Sequence, residues 1–322
     1  MDVLSDVIAS MRTGRAKFAR TRHLGRWGNR FGPYPGAGFH VVLAGSCWLL
    51  PPGGEPIRLT AGDVVFLPHG AVHGLSDTPA RALDRLPPQS PDGPDLGDGD
   101  PDAGDALLLC GAYRLDHGTA HPFLRHLPEV IHLPAQLGRH PALRAAVDLL
   151  GADLTTARPG ADAALPALLD LLLIYVLRAW LDEQSATGAS GGWSAALADP
   201  AVATALHHMH QDPARPWTVQ QLGELTGLSR TAFARRFTAT MGQAPLAYLT
   251  WWRLNTAARL LSRDDAALAT IARRVGYSSE FAFAAAFKRQ YGVSPGRFRR
   301  DHRARPVQHD HDVDDASVLH SA

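Results

Sequence analysis

LGELTGLSRTAFARRFTATMGQAP (residues 222–245) and IARRVGYSSEFAFAAAFKRQYGVSP (residues 271–295) are two copies of one pattern. Gly227 of the first copy corresponds to Gly276 of the second at an offset of 49 residues. Five further pairs follow at a constant offset of 50: Ser229 and Ser279, Phe233 and Phe283, Phe237 and Phe287, Gly242 and Gly292, Pro245 and Pro295. A repeat at fixed spacing indicates one supersecondary unit that the chain uses twice.

Each copy has the residues that start and end two short helices. Gly227 and Gly276 can take a positive φ and end the first helix without steric cost. Ser229 and Ser279 are suited to cap the N-terminus of the second helix. The two phenylalanines of each copy are four residues apart, so both face one core. The pattern predicts a helix-turn-helix, whose second helix enters the major groove of DNA.

The second helix of each unit carries the side chains that we expect to read DNA bases. Arg235 lies about one and a half turns past the serine cap, away from the phenylalanine face, and arginine can bind guanine O6 and N7 together. We predict base contacts by Arg235, by its neighbours Arg230 and Thr231, and by Glu280 in the second copy. Ala285 occupies the position of Arg235 in the second copy, so the first unit is expected to read more of the base sequence.

Other polar residues of the two units are predicted to contact the phosphate backbone, which fixes the register of the protein on DNA. They are Ser229, Arg236, Arg273, Ser279, Lys288 and Arg289. Residues 199–305 contain sixteen arginines and lysines against seven acidic residues, a net charge of +9, although the whole chain carries only +1. Residues 1–198 are mildly acidic, at −4. A basic segment of this kind is the electrostatic signature of a DNA-binding module.

Residues 199–303 resemble the AraC/XylS-type DNA-binding domain. The stretches GLSRTAFARRF, GYSSEFAFAAAFKR and YGVSPGRFRR match its two helix-turn-helix signatures. The resemblance implies that a long helix, here at about residues 245–262, joins the two units. Members of the family usually carry an arginine where Ala285 stands, so the resemblance also implies weaker base reading by the second unit of this chain.

The chain before this region has a different pattern. Short apolar runs broken by glycine and proline predict the β-strands of a small sandwich or barrel between about residues 17 and 133. The runs begin at Phe39, Ile57, Asp63, Leu107 and Val130. Leucine-rich helices are predicted at 141–154 and 163–182. The apolar core of the second helix, 165–181, is short for a membrane span and contains Asp170 and Arg178, so we expect no membrane contact.

GDVVFLPHGAVH (residues 62–73) is similar to the second motif of cupin barrels, and the run from His40 lies where the first motif would be. Metal-binding cupins supply two histidines one residue apart and then a glutamate in the first motif, but valines follow His40 here. A stable metal site generally needs three or four ligands. We therefore expect neither metal nor another cofactor. His40 and His73 either bond the backbone or line a sensor pocket, together with Trp48 and Cys110.

Residues 1–185 as a whole resemble the cupin-type sensor half of one subgroup of AraC-like regulators. Some members respond to oxidants through a cysteine whose position Cys110 matches, so the resemblance implies a small molecule or an oxidant as the effector. Their second reactive cysteine precedes the first strands, where this chain has none. A disulfide between Cys47 and Cys110 would need Cα atoms within about 7 Å. The alternative is that both are small buried apolar residues.

The predicted fold class is α+β: an N-terminal cupin-like β-barrel with flanking helices, and a C-terminal all-α domain in which a long helix joins two helix-turn-helix units. We expect a sensor and dimerisation domain at 1–185, a flexible linker at 186–198, the DNA-binding domain at 199–305 and a disordered tail at 306–322. Residues 86–105 contain six aspartates, five prolines and four glycines, a composition that predicts a disordered surface loop.

These patterns predict a transcription regulator that is not an enzyme and that binds double-stranded promoter DNA. We expect it to form a homodimer and to contact RNA polymerase. The N-terminus has no apolar core of a signal peptide, so we expect a cytoplasmic protein. Two alternatives stay open: a metal-dependent cupin enzyme fused to a DNA-binding domain, and a helical adaptor that binds protein. The incomplete histidine motif disfavours the first, and the charge of +9 disfavours the second.

Overall fold

The computed structural model describes residues 4, 5, 8, 16–34, 36–89, 106–113, 122–136, 138–155, 159–186 and 192–304. Contacts within the chain divide it into two compact units, Met1–Thr204 with Arg235–Gly242, and Ala205–Ala234 with Gln243–Ala322. The first unit contains two sheets and the second contains only helices in its described part, so the predicted α+β class is confirmed. The predicted domain bounds differ from this division and stay predictions.

The strands of the first unit form two antiparallel sheets. The described strands are β1 (Lys17–His23), β2 (Gly28–Phe31), β3 (Ala37–Ala44), β4 (Ser46–Leu50), β5 (Ile57–Thr60), β6 (Val64–Leu67), β7 (His73–Ser76), β8 (Ala106–Tyr113) and β9 (Ile131–Leu133). One sheet has the order β1-β8-β3-β6-β9, and the other has the order β2-β7-β4-β5. The five apolar runs of the sequence form six strands, because the run from Phe39 contains both β3 and β4, whereas β1, β2 and β7 were not predicted.

The five-stranded sheet buries both faces of its central strands β3 and β6. Cys110, His40 and Val65 lie in register across β8, β3 and β6, and they face the interior between the two sheets. Because successive side chains of a strand alternate between faces, Phe39 and Phe66 lie on the opposite side. The four-stranded sheet closes the interior with residues that include Phe31, Cys47, Leu49, Leu59 and Leu75.

Helices cover the outer face of the five-stranded sheet. They are α2 (Pro141–Thr155) and α3 (Ala161–Ala186), which confirm the two predicted leucine-rich helices and follow the short helix α1 (Pro122–Arg125). The hydroxyl of Tyr113 at the end of β8 donates to the carbonyl of Leu169 in α3 over 2.6 Å. By length and composition alone, α3 is the one helix in the described ranges that could cross a membrane. Its buried side packs on α2 and β9.

The predicted flexible linker at 186–198 is wrong for its second half. Residues Gly192–Ala198 form helix α4, which packs on α3. Trp193 is only 4% exposed, and its ring meets the ring of Phe123 edge-on, with centroids 5.8 Å apart. The burial of Trp193 therefore orders this segment, although its glycine- and serine-rich composition predicts flexibility. Residues 187–191 and the predicted tail at 306–322 lie outside the described residues.

The predicted disordered loop at 86–105 is wrong for its first four residues. The N–H of Arg30 in β2 donates to the carbonyl of Pro87 over 2.8 Å. The N–H of Gln89 donates back to the carbonyl of Arg30, also over 2.8 Å. Residues 86–89 thus extend the edge of the four-stranded sheet, and residues 90–105 lie outside the described residues.

The C-terminal helices have the predicted order of two short pairs around a long helix. They are α5 (Pro200–Gln211), α6 (Val219–Leu225), α7 (Arg230–Met241), α8 (Pro245–Arg263), α9 (Leu268–Arg274), α10 (Glu280–Tyr291) and α11 (Pro295–Ala304). Gly227 between α6 and α7 has a φ of 69°, and Gly276 between α9 and α10 has a φ of 84°. Both turns therefore use the left-handed conformation that the repeat predicts.

Helices α8 to α11 bury one core. Ile271, Phe283, Phe287 and Phe298 belong to it, and the rings of Phe283 and Phe287 lie 5.6 Å apart. The two phenylalanines thus face one core, as the spacing of four residues predicts. The predicted serine cap is confirmed as well, because the side chain of Ser279 accepts the N–H of Ala282.

The long helix α8 also holds the second turn in place. The Nε of Arg253 donates to the carbonyl of Pro213 over 2.6 Å, and Nη2 donates to the carbonyl of Arg215 over 2.8 Å. The guanidinium lies against Gly276, where an added Cβ would approach it to 2.9 Å and would lie 2.8 Å from the carbonyl of Ala214. Glycine is therefore required at this turn by space as well as by φ.

Candidate nucleic-acid interface and barrel interior

Helix α7 places the predicted base-reading side chains on its open side. Arg230, Thr231 and Arg235 are exposed, whereas Phe233 and Phe237 are buried on the other side of the same helix. Within the described part of the chain, no carboxylate lies in ion-pair distance of Arg230 or Arg235. Their guanidinium groups are therefore free to meet an external hydrogen-bond acceptor.

Arg236, next to Arg235, has a different environment. Its Nε donates to Oδ2 of Asp199 over 2.5 Å, and 49% of its side chain stays exposed. Asp199 also accepts the N–H groups of Ala201 and Val202, at 3.0 and 3.2 Å. Burial alone would raise the pKa of Asp199, but the hydrogen bonds from Arg236 and these two N–H groups hold it below its usual value. Arg236 is thus held at the start of α5, and its predicted phosphate contact would use the exposed part of the side chain.

Helix α10 presents a mixed surface. Glu280, Ala285, Lys288 and Arg289 are exposed on it. The most prominent side chain here was given no predicted contact: Phe281 is 88% exposed, more than any other exposed large apolar residue in the described ranges. The repeat could have revealed it, because an offset of 50 residues places Phe281 at the position of Thr231.

Several arginines of the C-terminal helices are engaged within the protein. Arg274 donates to Oδ2 of Asp264 over 2.8 Å, and Nη2 of Arg299 donates to the carbonyl of Ala266 over 2.6 Å. Hydrogen bonds from the N–H of Ala266 and from Arg274 hold the pKa of Asp264 below its usual value. In contrast, Arg273 is exposed on α9, as its predicted phosphate contact requires.

Two histidines from opposite sheets meet inside the barrel. The Nε2 atoms of His40 and His73 are 2.6 Å apart. Nδ1 of His73 lies 2.8 Å from the carbonyl of Ala71, which can only accept, so this nitrogen carries the hydrogen and Nε2 of His73 is the acceptor. His40 then donates from Nε2, and its buried Nδ1 has no hydrogen-bond partner among the described residues.

The environment of the histidine pair keeps both rings neutral. Burial lowers the pKa of His73 to about 4, although its bond to Ala71 acts in the opposite direction. Burial, and then the neighbouring His73, hold the pKa of His40 well below its ordinary value. The ring of Phe31 stacks on that of His73, with centroids 5.3 Å apart, and excludes water from this side. Of the two roles that the sequence left open, His73 has the backbone-bonded one.

The two cysteines are free thiols in the same interior cluster. Burial raises the pKa of the Cys110 thiol to about 12, although a hydrogen bond with Thr21 lowers it, and Cys47 raises it further. Burial likewise raises the pKa of the Cys47 thiol to about 12. Both cysteines therefore stay protonated near neutral pH and match the prediction of small buried apolar residues.

Trp48 does not lie with the other three residues of the predicted sensor pocket. Cys47 and Leu49 face the interior, so the alternation along β4 turns Trp48 to the outer face. There it lies opposite Arg58 and Ser76 on the neighbouring strands. The structure thus brings together His40, His73 and Cys110, and the assignment of Trp48 is corrected.

The aspartate of the cupin-like motif has a structural role. Asp63 accepts the N–H of Thr60 over 2.9 Å and the N–H of Ala135 over 2.8 Å, and it lies 3.2 Å from Nε2 of His132. Burial would raise the pKa of Asp63, but these hydrogen bonds hold it below its usual value. Asp63 therefore ties the turn before β6 to the segment after β9.

The donor set for a metal ion is small. The described residues contain no group of three or more histidine, cysteine, aspartate or glutamate side chains that could hold a metal ion. In the barrel interior His40 and His73 are in mutual contact, and their facing nitrogens are used in the bond between them. This arrangement does not fit the three or four ligands of a stable site.

Comparisons with known families assign most of the chain. A family profile described as "Cupin" matches residues 2–182, and one described as "Helix-turn-helix domain" matches residues 222–301. A "Putative AraC-like transcription regulator" of Streptomyces lividans is 37% identical over 313 residues, which cover 93% of this chain and 98% of the relative. The two matches extend over both units, and the helix-turn-helix match includes every residue of the two repeats.

Two further proteins are similar to parts of this chain. The "RCS-specific HTH-type transcriptional activator RclR" of Escherichia coli (strain K12) is 30% identical over 263 residues, covering 81% of this chain and 83% of the relative. Among solved structures, the DNA-binding domain of AdpA in complex with a target DNA is 34% identical and covers 34% of this chain and 98% of that chain, with a TM-score of 0.32. The chain is a member of the AraC-like family of DNA-binding transcription regulators, with a cupin domain in its N-terminal part and a helix-turn-helix domain in its C-terminal part.

Proposed function

We propose that this regulator reads promoter DNA chiefly through α7, with Arg235 as the main base contact and Arg230 and Thr231 beside it. The observation that carries the proposal is the free, exposed guanidinium of Arg235 opposite two buried phenylalanines. A bidentate arginine distinguishes guanine from other bases in the major groove. On α10, we propose that Glu280 contacts a base.

We propose that the phosphate contacts come from Ser229, Arg236, Arg273, Ser279, Lys288 and Arg289. The two serines already accept an N–H as helix caps, and their hydroxyl hydrogens can still be donated to a phosphate oxygen. Exposed basic residues bind phosphates without sequence preference. Lys288→Ala should therefore weaken binding about equally on all sequences, and it should reduce the salt dependence by about one released ion.

The footprint on DNA tests whether both helix-turn-helix units bind. We propose that α7 and α10 enter successive major grooves, so nuclease protection of the upstream DNA of its own gene should show two contacts about 10 base pairs apart. Lys288→Ala should weaken one of the two. A single protected groove, unchanged by Lys288→Ala, would contradict binding by the second unit.

We propose that the cupin domain senses a small molecule rather than an oxidant. A reactive cysteine needs a populated thiolate and some exposure, whereas Cys47 and Cys110 are buried with their pKa raised to about 12. The buried Nδ1 of His40, which has no partner among the described residues, is a polar atom that a bound molecule could satisfy. A thermal-shift screen of metabolites tests this proposal, and rapid labelling of Cys110 by a thiol reagent in the native protein would favour the oxidant.

The enzyme alternative makes a different prediction. A metal-dependent cupin enzyme would purify with iron or zinc at about one ion per chain, because its reaction needs the ion in place. We propose instead that the cupin domain has no catalytic role. Elemental analysis of the purified protein decides between the two. A stoichiometric ion that is lost in His40→Ala would support the enzyme alternative.

We propose that the regulator is a homodimer through α2 and α3. Leu149 on α2 is 55% exposed and Leu171 on α3 is 41% exposed, so apolar side chains remain outside the packed face. Burying such surface in a second copy is favourable. Sedimentation should give a dimer at micromolar concentration and a monomer for Leu149→Glu with Leu171→Glu. A monomer in the wild type would contradict the proposal.

The cellular setting of the proposal follows from promoter binding. We propose that the protein acts in the cytoplasm, at promoters where it contacts RNA polymerase. Fractionation of cells should recover it with the soluble proteins, although α3 has the length and composition of a span. Recovery in the membrane fraction would contradict this setting.

A further inference from the structure

Phe281 is an aromatic side chain left almost wholly in water. It is 88% exposed in the first turn of α10, immediately after the helix cap that Ser279 forms with the N–H of Ala282. The neighbouring phenylalanines of the helix, Phe283 and Phe287, are fully buried. Phe281 therefore contributes nothing to the core of its own unit, and water around an aromatic ring is unfavourable unless a partner covers it.

The side of α10 that carries Phe281 has a small side chain and a positive charge, and both favour contact with a polyanion. Residues 281, 285 and 288 lie on one side of α10, since side chains three and four positions apart are neighbours on a helix. They are a phenylalanine, an alanine and a lysine, so the bulky ring stands at the N-terminal end of a small, open stripe. Arg289 and, on α9, Arg273 add positive charge, against the single carboxylate of Glu280 in this helix.

The chemistry of the major groove offers one apolar group to such a ring. Thymine presents its C5-methyl group there, and phenylalanine is one of the side chains that contact it. The N-terminal part of a recognition helix is the part that reaches base edges. An apolar protein surface is a poorer match for this stripe, because the stripe also carries the positive charge of Lys288.

We propose that Phe281 is a specificity-determining residue that contacts the C5-methyl group of a thymine in the major groove. The inference rests on the proposed role of α10 in reading DNA. It gives the second unit an apolar means of selecting bases at the position where the first unit has Thr231. It also explains how α10 selects sequence although Ala285 stands where the first unit has Arg235.

The test replaces single thymines by deoxyuridine, which removes only the methyl group. Probes carry the footprinted site upstream of the protein's own gene, or a site selected from random DNA, with one substitution each. At one position the wild type should bind the deoxyuridine probe roughly fourfold more weakly, the equivalent of about one buried methylene group. Phe281→Ala should bind the two probes of that position equally, and Phe281→Leu should retain part of the difference.

Two controls make the result specific. Gln290 is exposed on the same helix, nine residues from Phe281 and hence on the opposite side, so Gln290→Ala should respond to deoxyuridine as the wild type does. Phe281→Ala should melt at the wild-type temperature, because 88% of the side chain is exposed.

The proposal is overturned if no single deoxyuridine weakens wild-type binding, or if Phe281→Ala responds to deoxyuridine as the wild type does. If the first result is found together with tight, sequence-specific binding, a protein partner rather than a thymine would cover the exposed ring. Failure of the underlying function looks different, because the wild type would then prefer no sequence at all, and Arg235→Ala would bind as the wild type does.

Discussion

At the scale of single residues, the buried histidines link the fold to pH. The Nε2 atoms of His40 and His73, at 2.6 Å, share one hydrogen, and burial keeps both rings neutral. Burial also lowers the pKa of His23 to about 4. A proton added to any of these rings would be a charge in an apolar interior, which is costly. The folded barrel therefore favours the neutral form of these three histidine rings.

The first prediction concerns stability against pH. An unfolded histidine binds a proton near pH 6.5, whereas His73 in the folded chain does so only near pH 4. The unfolded state thus binds more protons between these values, and stability is full above pH 6.5 and falls as the pH falls towards 4. The slope is up to about 1.4 kcal/mol per pH unit for each such histidine. Urea unfolding from pH 7.5 to 4.5 measures it, and His73→Gln should reduce the slope by about one proton.

The opposite sign is the contradicting outcome. If the free energy of unfolding rises as the pH falls from 6.5 to 4.5, the histidines gain a charge partner on folding. An equal slope in the wild type and in His73→Gln would likewise show that this ring is not buried in its neutral form.

The second prediction compares the two turn glycines. Gly227 and Gly276 both have positive φ, which costs an alanine roughly 1–2 kcal/mol. A Cβ at Gly227 meets nothing within 4 Å, whereas one at Gly276 lies 2.8 Å from the carbonyl of Ala214. Gly276→Ala should therefore destabilise the chain by more than Gly227→Ala, by about a further 1–3 kcal/mol. Chemical denaturation of the two variants measures the difference, and equal losses would contradict the crowding at the second turn.

At the scale of elements, the sequence predicts what is repeated and periodic. Two copies of the glycine, serine and phenylalanine pattern define α6, α7, α9 and α10, because each residue type in it has a backbone or packing role. Strand β1 was missed because lysine and two arginines occur in its seven residues. Strand β7 was missed because HGLS is four residues long and contains glycine, although all four residues are buried.

The candidate site was predictable where exposure follows from periodicity. The phenylalanine face fixes where Arg230 and Arg235 point, so these two residues lie as predicted. Phe281 was given no predicted contact, because an aromatic residue in a helix is more often buried; only its match to Thr231 in the repeat marks it as exposed. Trp48 was misplaced because a shift of one residue along a strand exchanges the two faces of a sheet. Ion pairs such as the one between Arg236 and Asp199 join residues far apart in sequence, and no local pattern reveals them.

The third prediction tests helix α4 as part of the first unit. Trp193 is buried against Phe123, and removing a buried tryptophan side chain typically costs about 3–5 kcal/mol. Trp193→Ala should lower the free energy of unfolding by this order and open residues 192–198 to proteolysis, whereas Trp193→Phe should retain most of the stability. If Trp193→Ala is as stable as the wild type, the segment is the flexible linker that its composition suggests.

At the scale of the whole molecule, charge is distributed according to function. Residues 199–305 carry a net +9 and residues 1–198 carry −4, so the near-neutral total of +1 conceals a basic DNA-binding part. Much of this charge is exposed, but Arg274 and Arg299 are hydrogen-bonded to other residues of the protein. Arginines that read bases therefore differ from arginines that only add charge, and we expect different effects from their removal.

The most direct test is the affinity of the purified protein for its own upstream DNA at two salt concentrations, beside Arg235→Ala and Arg274→Ala. Both variants lose one positive charge, but only Arg235 is free to reach a base. The wild type should bind tightly and lose affinity with salt. Arg235→Ala should lose about 1–3 kcal/mol of binding free energy and its preference at one base pair, while Arg274→Ala keeps the wild-type preference. Equal binding and equal preference in the wild type and in Arg235→Ala would contradict α7 as the base-reading helix.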